Sequence, residues 1–169
     1  VIPPEIVSML SNPDILKVAH NSIFERICLS CYLGLKLPPE QWLDTMVLAA
    51  SLGLPSSLDD VGKSLGLSQQ KLGTGQDLLR YFSKPCKATK ANGGRTRNLP
   101  LDDPVKWSQF VAYNQRDVGV AIAVFQQLQK YAQPVSENNI YWLDQRINDR
   151  GVQVDMALVN QAVAFEQRY

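Results

Sequence analysis

Several short stretches of this 169-residue sequence hold side chains whose type and spacing suit them to chemistry. The first is His20-Asn21-Ser22-Ile23-Phe24-Glu25. It follows a brief apolar run at residues 15–19 and opens a helical pattern, and loops at the carboxyl ends of sheet strands are where α/β proteins place their active sites. A carboxylate one turn into such a helix can project toward that site. Ser22-x-x-Glu25 equally fits a capping box, in which Glu25 only satisfies a backbone amide. The second stretch is Tyr113-x-x-x-Asp117, a spacing that puts both side chains on one helical face a turn apart. The same row continues through Val120, Ala121 and Val124, so Asp117 is expected beside a packed surface. An acid there needs a cation, a donor or a metal; a Tyr hydroxyl or an Arg would serve as well.

A third feature is basic. Residues 78–101 contain Arg80, Lys84, Lys87, Lys90, Arg95 and Arg97 and no acid, so this segment is +6 and the rest of the chain −5. Asn92-Gly93-Gly94 predicts flexibility, and Tyr81-Phe82 supplies aromatic surface beside the cations. Such a loop suits a phosphate backbone, although a run of charge also serves solubility alone. The fourth feature, Asp44-Thr45, ends a second short apolar run. It can face the same pocket as His20, or cap the helix that starts at Met46.

The elements that must position these residues are mostly helical. Helices are predicted at residues 3–10, at 22–33 with Ile23, Phe24, Ile27, Cys28, Cys31 and Tyr32 on one broad apolar face, and at 46–52. A further helix opens at the capping box Ser57-x-x-Asp60 and closes at Gly66, and another spans 76–82. Asp102-Asp103-Pro104 starts the longest, to about residue 131, with a main apolar stripe of Trp107, Val111, Val118, Ile122, Phe125 and Leu128. After a connector at 133–136, helices follow at 140–148 and from Met156 behind Asp155. Only residues 15–19 and 42–45 read as strands. A parallel α/β domain normally has more.

Composition excludes several classes. Hydrophobic residues are 45% and charged residues 20%, which rules out wholesale disorder. No apolar run approaches the roughly 20 residues of a membrane span, and the start, Val-Ile-Pro-Pro-Glu, lacks the pattern of a signal peptide. Cys28, Cys31 and Cys86 are too few and too odd in number for a secreted disulfide scaffold. Cys28-x-x-Cys31 would need distant partners to make a zinc site, since His20 is the sole histidine; two small apolar residues on the inner side of a helix is the better reading.

In this order, the motifs resemble the 3′–5′ exonuclease domain of family A DNA polymerases, above all the polymerase-I-like proteins of phages and prophages. These belong to the ribonuclease H-like DEDD exonucleases with a Tyr in the last motif. His20 to Glu25 matches the second motif, Asn-x-x-x-Asp, with Glu25 at the acidic position. Tyr113 to Asp117 matches the third, Tyr-x-x-x-Asp. Leu43-Asp44-Thr45-Met46 and Ser57-Leu58-Asp59-Asp60-Val61-Gly62 match segments between them. Leu143 to Asp155 looks like the entry to the polymerase domain, which favours a polymerase over the related ribonuclease D.

The resemblance implies an α/β, ribonuclease H-like exonuclease fold whose N-terminal strands are missing, so that the chain is mostly helical. It divides the chain into the C-terminal portion of the exonuclease domain (1–132), a linker (133–139) and the start of a polymerase domain (140–169). The first motif, Asp-x-Glu, is absent and is expected before Val1. It further implies a two-metal site for Mg²⁺ or Mn²⁺, with Asp117 binding the metal that activates water, Tyr113 orienting that water, Glu25 on the second metal and Asn21 positioning the terminal nucleotide. The expected partner is DNA, as a single-stranded 3′ end or primer-template, met by Lys84, Lys87, Lys90, Arg95 and Arg97. The expected setting is the cytoplasm of a bacterium or phage-infected host, with no membrane. A ribonuclease D-like RNA exonuclease and a non-catalytic scaffold of the same shape are the alternatives.

Overall fold

The computed structural model describes residues 2–67, 75–131 and 133–168. These fall into two compact units, Val1–Gln133 and Pro134–Tyr169.

In the first unit, helix α1 (Pro4–Ser11) leads to strand β1 (Lys17–Ala19), helix α2 (Ser22–Leu33), strand β2 (Trp42–Asp44) and helices α3 (Thr45–Ser51), α4 (Leu58–Ser64), α5 (Gly75–Ser83) and α6 (Pro104–Leu128). The strands run parallel in the register Lys17↔Trp42, Val18↔Leu43 and Ala19↔Asp44. Each is three residues long, shorter than the apolar runs that announced it. Parallel pairing places both carboxyl ends side by side, so the chain leaves the sheet at His20 and Thr45 from the same edge. The small sheet and the helical majority make the unit α/β.

Sequence signals fix the helix ends. The Ser57 hydroxyl accepts a hydrogen bond from the Asp60 amide at the start of α4, as a capping serine does. Asp103 caps α6 by accepting from the Lys106 amide, with Pro104 at the first helical position. Gly34, at φ 64°, ends α2 in the left-handed conformation that costs a residue without Cβ least.

The core joins Leu48 and Ala49 of α3, Val61 of α4, and Val120, Val124 and Leu128 of α6. Each fully buried aliphatic side chain of this kind contributes about 1.5–3 kcal/mol. On α6 the buried row is thus Tyr113, Val120, Val124 and Leu128. The expected main stripe is corrected: Val111, Val118 and Ile122 are exposed and Trp107 borders on it, with only Leu128 of that stripe fully buried. A 25-residue helix carries two apolar rows, and the row aligned with Tyr113 and Asp117 is the one that meets α3 and α4.

A second correction concerns α2. Its buried residues are Ser22 and Arg26, whereas Phe24 and Tyr32 are 65% and 69% exposed and Cys28 and Cys31 also face outward. The polar edge is inward because the Arg26 guanidinium donates to the Leu37 carbonyl and Ser22 is held by Asp44 of β2.

In the second unit, α7 (Val135–Arg150) starts behind Pro134, so most of the expected linker is helix; α8 (Met156–Glu166) is capped by Asp155, whose carboxylate accepts from the Ala157 and Leu158 amides. Among the described residues no helix is long and apolar enough to cross a membrane.

Candidate active site and nucleic-acid interface

The carboxyl ends of the two strands are joined by one side chain. Asp44, 5% exposed, accepts from the Asn21 amide at 2.9 Å, the Ser22 amide at 2.8 Å, the Ser22 hydroxyl at 3.2 Å and the Met46 amide at 2.9 Å. One carboxylate therefore caps its own helix α3 and, across the sheet, the start of α2. Both helix N-termini favour negative charge. The expected cap on Met46 is present, and its reach to α2 is an addition that the strand register makes possible. Asn21 turns the chain at φ 66°, the one non-glycine residue with positive φ among those described. Asn tolerates that conformation better than most.

With Ser22 committed to Asp44, the capping box at Ser22-x-x-Glu25 does not form. No side chain caps α2 from the N-cap position, and Glu25 is left half-buried with its Oε2 out of solvent and without a hydrogen-bond partner. Burial raises its pKa; the Asp44 charge raises it further, while a hydrogen bond from its own backbone amide and the charge of His20 oppose.

Glu25 lines a cavity of about 530 Å³ together with His20, Asn114 and Asp117; Val18, Leu58, Val118, Ala121, Ile122 and Phe125 make apolar walls. Part of the exposed second row of α6 thus has a place: Val118, Ile122 and Phe125 form one side of this cleft. His20 is fixed at its rim, with Nε2 2.8 Å from the Ser56 carbonyl, to which it donates, and Nδ1 3.1 Å from the Thr45 hydroxyl. Sequence reading assigned no role to His20 or Asn114. Asn114 was legible in principle, since it lies three residues before Asp117 on the same helical face.

The structure brings Glu25 and Asp117 together in this way, but Tyr113 is not part of the cavity lining. Its buried ring stacks on Phe110 with centroids 6.5 Å apart, and a Cβ on Gly75 would collide with it. Phe110 in turn stacks on Phe82 at 5.5 Å, and Trp107 meets Phe82 edge-on at 5.2 Å. This aromatic column seats α5 on α6.

Hard divalent cations take oxygen ligands, and the lining includes two carboxylates, one with a buried oxygen that lacks a partner, and the side chain of Asn114. Two carboxylates match the charge of one such ion, not two. Among the described residues no group of three or more His, Cys, Asp or Glu is placed to hold a metal.

The basic residues lie elsewhere, between α5 and α6. Lys84, Lys87, Lys90 and Arg97 are exposed. Arg95 is instead engaged, its Nε donating to Asn98 Oδ1 at 3.0 Å and its Nη1 3.4 Å from Asp102. Arg80 approaches Asp77 at 3.7 Å. Around residues 92–94 the Asn92 side chain makes hydrogen bonds to Lys87, Thr89, Gly94 and Arg95 that close the loop.

Comparison with known proteins adds one relative. Over 168 residues, 99% of this chain, the sequence is 46% identical to a DNA polymerase of Bacillus phage SP02. The chain spans 26% of that polymerase's length. No family model matches the chain, and no solved structure does.

Proposed function

We propose that this chain is part of a family A DNA polymerase and contributes the cleft of a 3′–5′ proofreading exonuclease that hydrolyses single-stranded DNA 3′ ends. The observation that carries this reading is the meeting of Glu25 and Asp117 in one cavity, with a buried Glu25 oxygen lacking a partner. It lies in a chain similar along its length to a phage DNA polymerase. Residues 1–132 then belong to the exonuclease domain, 133–139 to the link, and 140–169 to the entry of the polymerase domain.

In this reading Glu25 and Asp117 hold Mg²⁺ or Mn²⁺, which when bound activates a water and stabilises the charge on the departing nucleotide. Asp44 fixes the first turn of α2, and through it the direction of Glu25. Asn114 offers hydrogen bonds at the cleft wall, His20 shapes the rim with both ring nitrogens held by Ser56 and Thr45, and Asn21, at the turn before α2, positions the terminal nucleotide. The apolar walls keep competing water away from the reacting end. Tyr113 keeps the water-orienting role on the strength of the resemblance alone, since its ring packs under Gly75. The cations between α5 and α6 meet the DNA backbone. With two carboxylates for two ions, the isolated chain is expected to bind metal weakly and to cut slowly or not at all.

The test replaces the matching quarter of the phage SP02 polymerase with this chain. The hybrid is expected to extend a primer and to remove nucleotides from single-stranded 3′ ends. Asp117→Ala and Glu25→Ala should each abolish removal while leaving extension intact. A hybrid that extends primers, but whose 3′ hydrolysis is absent or indifferent to both substitutions, overturns the reading.

A further inference from the structure

The loop between α5 and α6 carries more hydrogen bonds than a charged connector needs, and they fall at two points. At the tip, Asn92 Oδ1 accepts from the Thr89 amide at 2.9 Å and the Gly94 amide at 3.1 Å. Its Nδ2 donates to the Lys87 carbonyl at 2.9 Å and the Arg95 carbonyl at 3.2 Å. Gly93 and Gly94, at φ 68° and 77°, let the backbone fold around that amide. The Cys86 amide meets the Thr96 carbonyl at 2.7 Å and joins the two arms. At the base, buried Asn98 donates to the Tyr81 carbonyl at 2.9 Å and so ties the loop to α5. Asn98 also accepts from Arg95, which pairs with Asp102; Asp102 accepts from the Leu99 amide at 2.7 Å.

Charge is distributed in keeping with this. Arg95 is spent inside the loop, whereas among the described residues no acid pairs with Lys84, Lys87, Lys90 or Arg97. Four like charges on a short loop repel one another, and an unbraced loop would spread. Bracing them before a ligand arrives removes ordering entropy that binding would otherwise have to overcome.

We propose that Asn92 and Asn98 make this loop a preformed platform for the phosphates of single-stranded DNA. Lys84, Lys87, Lys90 and Arg97 supply the contacts, and Arg95 is a positioning residue that does not touch DNA. The proposal rests on the reading that the loop meets DNA, and narrows it from five cations to four.

Fluorescence anisotropy of a labelled single-stranded oligonucleotide with the 169-residue chain, across a range of salt, separates the roles. Four contacts give a slope of log affinity on log salt near −2.8, at roughly −0.7 per phosphate, where five would approach about −3.5. Lys87→Ala should reduce the slope by about 0.7. Arg95→Ala and Asn92→Ala should weaken binding at every salt concentration with the parent's slope. In the DNA-free chain, the side-chain amide protons of Asn92 and Asn98 should exchange slowly by NMR. DNA binding with those protons exchanging at the free rate, or an Arg95→Ala slope reduced as in Lys87→Ala, overturns the platform alone. A parent chain that does not bind DNA overturns the DNA-contact reading and the platform with it.

Discussion

The cleft and the basic loop solve opposite problems with charge. In the cleft, two acids are drawn among apolar walls, and Glu25 has a buried oxygen without a partner. In the loop, the backbone is tied down by two asparagines while four cations stay in solvent. A buried charge without a partner costs stability and is tolerated where a ligand will satisfy it. An exposed charge costs little, and its use depends on where the backbone holds it. The cleft is therefore expected to answer to substitutions that change charge and capping, and the loop to those that change hydrogen bonding.

The largest effect is expected at the carboxylate that holds both strand ends. Asp44→Ala leaves the amides of Asn21, Ser22 and Met46 and the Ser22 hydroxyl without their acceptor, in a site from which water is largely excluded. A loss on the order of 3 kcal/mol is expected in urea unfolding followed by tryptophan fluorescence. A loss below about 1 kcal/mol would mean that α2 is seated by something other than Asp44.

Gly75→Ala comes next and probes the aromatic packing that seats α5, the helix from which the loop departs. Its Cβ would fall on the Tyr113 ring, and overpacking of this kind costs about 1–3 kcal/mol. The same unfolding measurement checks it; an unchanged midpoint would show that the aromatic column yields freely.

The smallest effect is the most diagnostic of the cleft. Burial raises the pKa of Glu25 above its ordinary value of 4.5, so the folded chain binds this proton more tightly than the unfolded chain. The contribution of Glu25 to stability therefore falls as pH rises from the ordinary value through the raised one, and is restored as pH drops again. Glu25→Gln, which removes the titration, should melt higher than the parent at neutral pH. The difference should shrink toward acid and vanish below about the ordinary carboxylate value. A variant that melts lower than the parent at neutral pH would show the carboxylate to be satisfied in the folded chain.

Legibility in the sequence followed the range of the interactions involved. The start of α6 was plain because Asp103-Pro104 is a local signal. Both cleft acids were named from spacing and order. Their placement was not, because the capping box at Ser22 and Glu25 is an equally good local reading, and only the parallel register that brings Asp44 under Ser22 decides against it. Apolar periodicity likewise marked a face on α2 without saying whether anything covers it. The hydrogen bonding of the loop was hidden in the same way: Asn92-Gly93-Gly94 is compositionally loose, and the four bonds of one amide depend on where Lys87 and Arg95 come to lie.

Paramagnetic line broadening by Mn²⁺ in the ¹⁵N-labelled chain tests most directly whether the cleft is built for a cation. Titrated ion should broaden first the amides around Glu25, Asn114 and Asp117, and an Asp117→Asn, Glu25→Gln double substitution should remove that effect while the fold is kept. Broadening that is centred elsewhere, or that survives the double substitution, would contradict the account.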